Sequence, residues 1–303
     1  MRKISVSIGI CAYNEEKNIG QLLQQLLRQK TSTVDVREIL VVSSGSTDRT
    51  DEIVRQFSEK DSRIRLIRQK RRKGKASAVN ILLREATQPI CVLESADTLP
   101  AVNAIELLCR PFLDPEVGMT GGRPVPLNSR DGFMGDVGWL LWTLHHRISL
   151  RSPKMGELVA FRRVVDAIPE DIVVDEYYIQ AVIQAMGYKL VYVPEAVVYN
   201  KAPSTIADFL NQRRRIYAGY LQARGKLGQM PKTMKLADTL CEAASIVFHS
   251  PSKLPAVLFA MTLEAVARLL GVYDYYRGRQ HHIWQIAQTT KNLTQQPRTG
   301  RKR

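Results

Sequence analysis

Over its first hundred residues the chain alternates short β-branched runs with amphipathic stretches, and this alternation restricts the fold more than any other feature. Residues 4–12, 36–43 and 64–68 read as strands. Between them, residues 16–29 place Ile19, Leu22, Leu23, Leu26 and Leu27 on one helical face, with Asn14 expected to cap an acidic first turn. Residues 44–48 turn into a helix running through Lys60, and residues 75–86 form a third helix. Ile90-Cys91-Val92-Leu93 is apolar throughout, as a strand buried on both faces must be. Strand and helix repeating in this way build a parallel, doubly wound sheet.

Acidic groups gather where that fourth strand ends, in Glu94-Ser95-Ala96-Asp97. Strand alternation sends Glu94 away from Ser95. The segment 101–113, with Pro100 near its first turn, reads as a helix. In open α/β sheets this carboxyl edge is where ligands bind, and a carboxylate there can hold a divalent cation that in turn holds a diphosphate. Further strands are expected at 117–123, 156–162, 188–193 and 196–199, and helices at 132–150, 175–186 and 205–223. His145 and His146 fall on the long helix; neighbours on a helix point apart, so they read as helix residues near the 156–157 loop rather than as a metal pair.

At 303 residues, 45% apolar and 24% charged, the chain holds enough core for one large α/β unit and an appendage. The net charge of +15 is concentrated in residues 68–75, 213–215 and 298–303. Such charge suits nucleic acid, anionic lipid headgroups or phosphorylated substrates. No helix-turn-helix, zinc-finger or RNA-binding-sheet signature accompanies it, so nucleic acid is not an expected partner. Cys11, Cys91, Cys109 and Cys241 lack C-x-x-C spacing and read as reduced thiols of a cytosolic protein. The opening basic residues lead into an alternating strand rather than an apolar leader, so no signal peptide is expected. Residues 254–271 approach the roughly 20 residues that cross a bilayer. Glu264 and Arg268, one turn apart, form the ion pair expected of a surface helix. With Tyr273, Tyr275, Tyr276 and Trp284 nearby, the segment reads as an interfacial helix; a soluble helical pair packed on the sheet stays open. The expected organisation is an α/β domain over 1–230, apolar and amphipathic helices over 231–291, and a basic disordered tail over 292–303.

Seven short motifs then fall in a known order: Ala12-Tyr13-Asn14-Glu15, Val42 through Thr50, Gly74 through Asn80, Ser95-Ala96-Asp97-Thr98, Asp175-Glu176, Gly187-Tyr188-Lys189 and Gln212-Arg213-Arg214-Arg215. In this the chain resembles the family 2 glycosyltransferases over residues 4–223. The resemblance implies the GT-A nucleotide-sugar fold, a Rossmann-like mixed sheet flanked by helices, with a membrane-proximal helical segment behind it. It also implies an inverting enzyme using Mg²⁺ or Mn²⁺, a nucleotide-diphospho-sugar donor and a lipid-linked or cell-envelope glycan acceptor, at the cytoplasmic face of an anionic membrane.

Carried onto this sequence, the resemblance assigns Ala12, Tyr13, Glu15, Ser43 and Ser44 to the nucleoside and Lys75 to the diphosphate; read by themselves, Arg71 to Lys73 are a solvated basic loop and Asn80 a helix-face residue. It gives Ser95 to the donor, Asp97 to the metal, Gly156 and Glu157 to the acceptor side, and Gln212, Arg215 and Arg213 to the diphosphate from above. Glu176 takes the catalytic base position, with Asp175 as the other candidate. Departures are specific. Serines stand at 43 and 44 in place of paired aspartates, Ser95 replaces the first acid of the D-x-D motif, and Ile216 replaces the Trp after Q-x-x-R. With three acids replaced, a catalytically silent nucleotide-sugar-binding protein of the same fold is the alternative.

Overall fold

The computed structural model describes residues 3–130, 132–228, 230–231, 234–279, 281–283, 288–291 and 293. Its strands are β1 Ile4–Ala12, β2 Val34–Ser44, β3 Ile64–Gln69, β4 Ile90–Ser95, β5 Leu99–Pro100, β6 Val117–Pro126, β7 Leu158–Arg162 and β8 Lys189–Asn200. The helices are α1 Ile19–Leu27, α2 Thr50–Ser58, α3 Lys75–Glu85, α4 Ala104–Cys109, α5 Phe133–Arg151, α6 Asp175–Ala185, α7 Ile206–Leu227, α8 Leu236–His249 and α9 Leu254–Tyr276.

All eight strands join one sheet in the order β3-β2-β1-β4-β7-β6-β8-β5. The first four are parallel, as their apolar runs demand; β7 then pairs antiparallel with both β4 and β6. The connections from β1 and β4 leave in opposite directions along the sheet, which opens a crevice at the carboxyl ends of these two neighbours. Register puts Cys11 beside Ser95 and Ala12 beside Ser43, so the residues that follow all three strands meet at one edge.

Helices cover both faces. Ile19, Leu22 and Ile105 pack with Val6, Ile8 and Ile10 on one side, and Val79, Leu82 and Ile179 pack with Leu40, Val42 and Leu93 on the other. Burying each such side chain contributes about 1.5–3 kcal/mol. A third cluster joins Val137, Leu140 and Leu144 of α5 to Phe209, Ala243, Ile246, Val257 and Ala260. The C-terminal helices thus share a core with α5 and α7.

Several expectations change. Asn14 does not cap α1: its φ is +52°, and its Oδ1 accepts from the Thr47 amide at 2.9 Å, tying the loop after β1 to the loop after β2. Helix α1 begins later, with Asn18 at its cap position. Pro100 lies not in a helix but in β5, antiparallel to β8, because the Ala101 amide finds the Val197 carbonyl at 2.9 Å; the 101–113 helix shrinks to α4 and a 3₁₀ turn. The two strands expected over 188–199 are one continuous strand. Cys241 is exposed, unlike the buried Cys91 and Cys109. Glu264 does pair with Arg268 at 2.8 Å, but this is no surface feature: Arg213 of α7 reaches the same carboxylate with two bonds of 2.8 and 2.9 Å, and all three are largely buried. Helices α7 and α9 approach so closely that a Cβ on Gly271 would fall 2.8 Å from the Arg214 carbonyl oxygen. The outer face of α8 and α9 stays apolar and open at Phe248, Leu258 and Tyr276, the first of them 83% exposed. The stretch Pro251–Tyr276 is long and apolar enough to cross a membrane. Trp284 and residues 294–303 lie outside the described residues, whereas Leu293 is buried, its amide donating to Asn18 Oδ1.

Candidate functional site

A cavity of about 1220 Å³ opens at the crevice between β1 and β4 and runs under α7 toward α5, α8 and α9. Ala12 borders it from the end of β1, Tyr13 and Glu15 from the loop that follows, Ser95 from the end of β4 and Asp97 from the turn after it. Gly156 and Glu157 enter ahead of β7, Asp175 and Glu176 from the first turn of α6, and Gln212 and Arg215 from α7. Ser44 borders the cavity as well. Ser43 does not; it is buried, with its hydroxyl turned to Ser46 at 2.9 Å to hold the loop after β2.

The turn at Asp97 forms because the Thr98 amide bonds back to the Ser95 carbonyl at 3.2 Å. Glu94 is buried outside the cavity wall, where Thr98 donates to it. Glycine is required at 45, where φ is +70° and a Cβ would meet the Arg71 and Arg72 backbone at 2.8 Å. That close approach seats the basic loop on the loop after β2. Arg72 is consequently not a solvated residue; its guanidinium lies 4.0 Å above the Tyr13 ring. Asn80 is more than a helix-face residue: its amide both donates to the Ile168 carbonyl and accepts from the Ile168 amide, at 2.8 Å each.

Lys75, first residue of α3, is the centre of charge. Its ammonium lies 3.1 Å from Asp175 Oδ2 and closer still to Glu176 Oε1. Burial works against that charge, yet the two carboxylates hold the Lys75 pKa well above its ordinary value. Burial and the neighbouring Glu176 push Asp175 up to about 7 despite Lys75. Burial would raise Glu176 too, but the ammonium holds it below the usual carboxylate range. Glu176 is also the more accessible of the two, with 19% of its side chain exposed against 3% for Asp175.

The opposite wall crowds further acids. Burial, then the charges of Asp97 and Glu176, push Glu157 up to about 7. Burial and Asp97 raise Glu15 to about 7 against the pull of Lys291, whose ammonium binds the Glu15 carboxylate and, at 3.2 Å, the Tyr13 carbonyl. Burial brings Arg215 down to about 10, with Asp175 and Glu176 holding it charged at neutral pH. Arg213 faces the cavity but spends its guanidinium on Glu264, which removes it from the expected diphosphate clamp. His146 shares a 3.0 Å bond with the Tyr192 hydroxyl, while His145 turns to the cavity. Among the described residues no three His, Cys, Asp or Glu side chains group closely enough to hold a metal by themselves.

Sequence reasoning missed three participants. Lys154 and Tyr220 face the cavity, and Lys291 comes back to Glu15 across 276 positions. Only Lys154 had a local signal, lying two residues before the Gly156-Glu157 loop. Lys291 had none.

A parallel nucleotide-binding half, an antiparallel extension through β7, and an acid at the carboxyl edge of β4 define a GT-A glycosyltransferase scaffold. The chain belongs to glycosyl transferase family 2: the model of that family matches residues 7–161, and that of glycosyl transferase family group 2 matches residues 90–287. Among curated proteins it is 24% identical over 223 residues to the poly-beta-1,6-N-acetyl-D-glucosamine synthase of Staphylococcus aureus, covering 69% of this chain and 53% of that protein. It is 26% identical over 127 residues to glycosyltransferase GlyG of Streptococcus pneumoniae, covering 42% of this chain and 41% of that one. The chain spans about half the length of the curated relatives it matches. Among solved structures, a mannosyltransferase from Pyrobaculum calidifontis in complex with GDP-Man and Mn²⁺ superposes with a TM-score of 0.68 at 24% identity, covering 92% of this chain and 89% of that one. Glucosyl-3-phosphoglycerate synthase of Mycobacterium tuberculosis, with Mn²⁺ and UDP, gives 0.50 at 17% identity over 73% and 80% of the two chains.

Proposed function

We propose that the protein is an inverting glycosyltransferase that moves a sugar from a nucleotide-diphospho-sugar to a lipid-linked or cell-envelope glycan acceptor at the cytoplasmic face of a membrane. The observation that carries this reading is the meeting, in one crevice at the switch point of the sheet, of Asp97, the Lys75–Asp175–Glu176 cluster and Arg215. Ala12, Tyr13 and Ser44 offer the nucleoside a wall of backbone, ring and hydroxyl. Glu15 borders the same end and Gln212 the roof, in keeping with donor contacts for both. Lys75 and Arg215 supply cationic partners for a diphosphate.

The donor chemistry suits a divalent cation, Mg²⁺ or Mn²⁺. Asp97 brings a hard oxygen ligand to a place where its charge already raises the pKa values of Glu15 and Glu157, so a cation there relieves crowding among acids. Asp97 would hold it together with Ser95, donor oxygens and water, and the ion would neutralise charge on the departing diphosphate. Relatives of this fold were crystallised with Mn²⁺, one of them with GDP-Man.

Glu176 is the base in this reading. Its carboxylate is ionised by Lys75 and faces the cavity that the acceptor-side residues Gly156 and Glu157 also line. It takes the proton of an acceptor hydroxyl as that oxygen attacks the anomeric carbon. One base with no second nucleophile gives inversion. Asp175, nearly inaccessible, holds Lys75 in place. The apolar outer face of α8 and α9 supports contact with an anionic membrane, and the chain's net charge of +15 supports the same.

Turnover of UDP-N-acetylglucosamine, UDP-glucose and GDP-mannose with Mn²⁺, with and without Asp97→Ala, tests the assignment. Metal-dependent turnover that falls at least a hundredfold in the variant is expected. Tight nucleotide binding with no turnover of any donor by the wild type would instead establish the silent binding protein.

A further inference from the structure

Beyond the donor end, the same cavity holds two polar side chains that make no direct hydrogen bond among the described residues. Lys154 borders it, and among the described residues neither a hydrogen bond nor an ion pair within 4 Å reaches its ammonium; the Tyr220 ring lies 5.7 Å away, and the Glu157 and Glu176 carboxylates act on its charge from a distance. His145 is 7% exposed, and both of its ring nitrogens are buried without a hydrogen-bond partner. Leaving such groups unpaired is costly, and more so for a charge than for a neutral group. Their occurrence together on one cavity wall is therefore informative.

Both are held in place. The Gln180 side chain accepts from the Met155 amide at 3.1 Å and donates to the Pro153 carbonyl at 3.2 Å, pinning the segment that carries Lys154 to α6, the helix of Asp175 and Glu176. Trp142 meets His145 edge-on with centroids 5.4 Å apart, and His145 Nε2 would lie 3.6 Å from a Cβ built on Gly156. The two groups thus flank the loop expected to face the acceptor. Burial and the nearby Arg213 lower Lys154 to about 8 against the pull of Glu176 and Glu157, and burial keeps His145 neutral, with one N–H to donate. The cavity is also lined by the apolar Leu140, Leu144, Ile148, Ala243, Val257 and Ala260 of α5, α8 and α9, and the charges that share this lining, Arg213, Glu264 and Arg268, are paired with one another. The exposed apolar face of α8 and α9 lies on the outside of the same helices.

We infer that Lys154 and His145 form an anion seat for the second substrate, a long-chain lipid carrying a phosphate, whose hydrocarbon occupies the chamber between α5, α8 and α9. A cation and an N–H donor at the mouth of an apolar chamber complement a molecule that is anionic at one end and apolar at the other. Naming this lipid an acceptor rests on the glycosyltransferase reading above; the seat itself does not.

Calorimetric titration of the full chain with dodecyl phosphate, kept below its micelle-forming concentration, tests the seat against 1-dodecanol and inorganic phosphate. Dodecyl phosphate should bind at least tenfold more tightly than either. Lys154→Met should weaken it about tenfold to a hundredfold, Lys154→Arg should largely preserve it, and His145→Leu should cost a smaller factor. Dodecanol binding as tightly would remove the anion from the argument. Inorganic phosphate binding as tightly would remove the chain and leave a free-anion site. Unchanged affinity in Lys154→Met would place the ligand elsewhere. Titration of UDP and GDP with Mn²⁺ into the same preparations separates the two claims and checks that each variant is folded. Nucleotide binding without dodecyl phosphate binding sinks the seat alone. Lys154-dependent dodecyl phosphate binding without nucleotide binding sinks the glycosyltransferase reading alone.

Discussion

Replacing Lys75 by methionine removes the cation that Asp175 and Glu176 share and leaves two buried carboxyls side by side. With charges 3.1 Å apart and an effective dielectric of about 20, each such attraction is about 5 kcal/mol, equivalent to about four pKa units. Water entering the gap recovers part of this, so an upward shift of one to four units is expected for the pair. The sign follows from the groups themselves. Burial raises both carboxyls, each repels the other, and Lys75 is the term that holds Glu176 below its ordinary value. Without it the pair keeps a proton to higher pH than in the wild type. The assay is the pH profile of kcat/KM for donor turnover, whose acid limb reports the base of the free enzyme. In Lys75→Met the limb should move up by at least one unit, while Lys75→Arg should leave it near the wild-type position. An acid limb that stays where it was in the methionine variant would refute the assignment of the base to this pair. Glu176→Gln sharpens the result: transfer should be lost while UDP or GDP affinity changes less than threefold.

Two further expectations follow from the fold. Burial would raise the Glu106 carboxyl, but the Thr33 hydroxyl and the Ser32, Thr33 and Val34 amides bring it down to about 2, so its stabilisation is complete above about pH 4.5 and disappears as pH falls through 2. After discounting for solvent screening, Glu106→Gln should cost about 1–2 kcal/mol in urea unfolding at pH 7 and almost nothing near pH 2, and a penalty independent of pH would contradict this. At the membrane, a triple change of Phe248, Leu258 and Tyr276 to glutamate should abolish co-flotation with phosphatidylglycerol vesicles without lowering the melting temperature by more than a few degrees. Undiminished flotation would place the lipid contact elsewhere. Deleting the C-terminal helices is a poorer test, since it strips Glu264 from Arg213 and Asp274 from Arg214.

Much of the architecture is legible in the chain itself. Local periodicity marks β1 to β4 and the helices between them, because a strand or helix needs only its own neighbours to place one face in the core. The same locality marks Asp97 at a strand end and Asp175-Glu176 at a helix start. Tertiary structure decided the rest. Pro100 became a strand because β8 lay beside it, and Asn14 left the helix because the loop after β2 offered it a backbone partner. Lys75 found Glu176 across 101 residues, Glu264 found Arg213 across 51, and Lys291 returned to Glu15 across 276. Hydrophobic pattern is a short-range property of a sequence, whereas a buried charge takes whichever opposite charge the finished packing brings within reach.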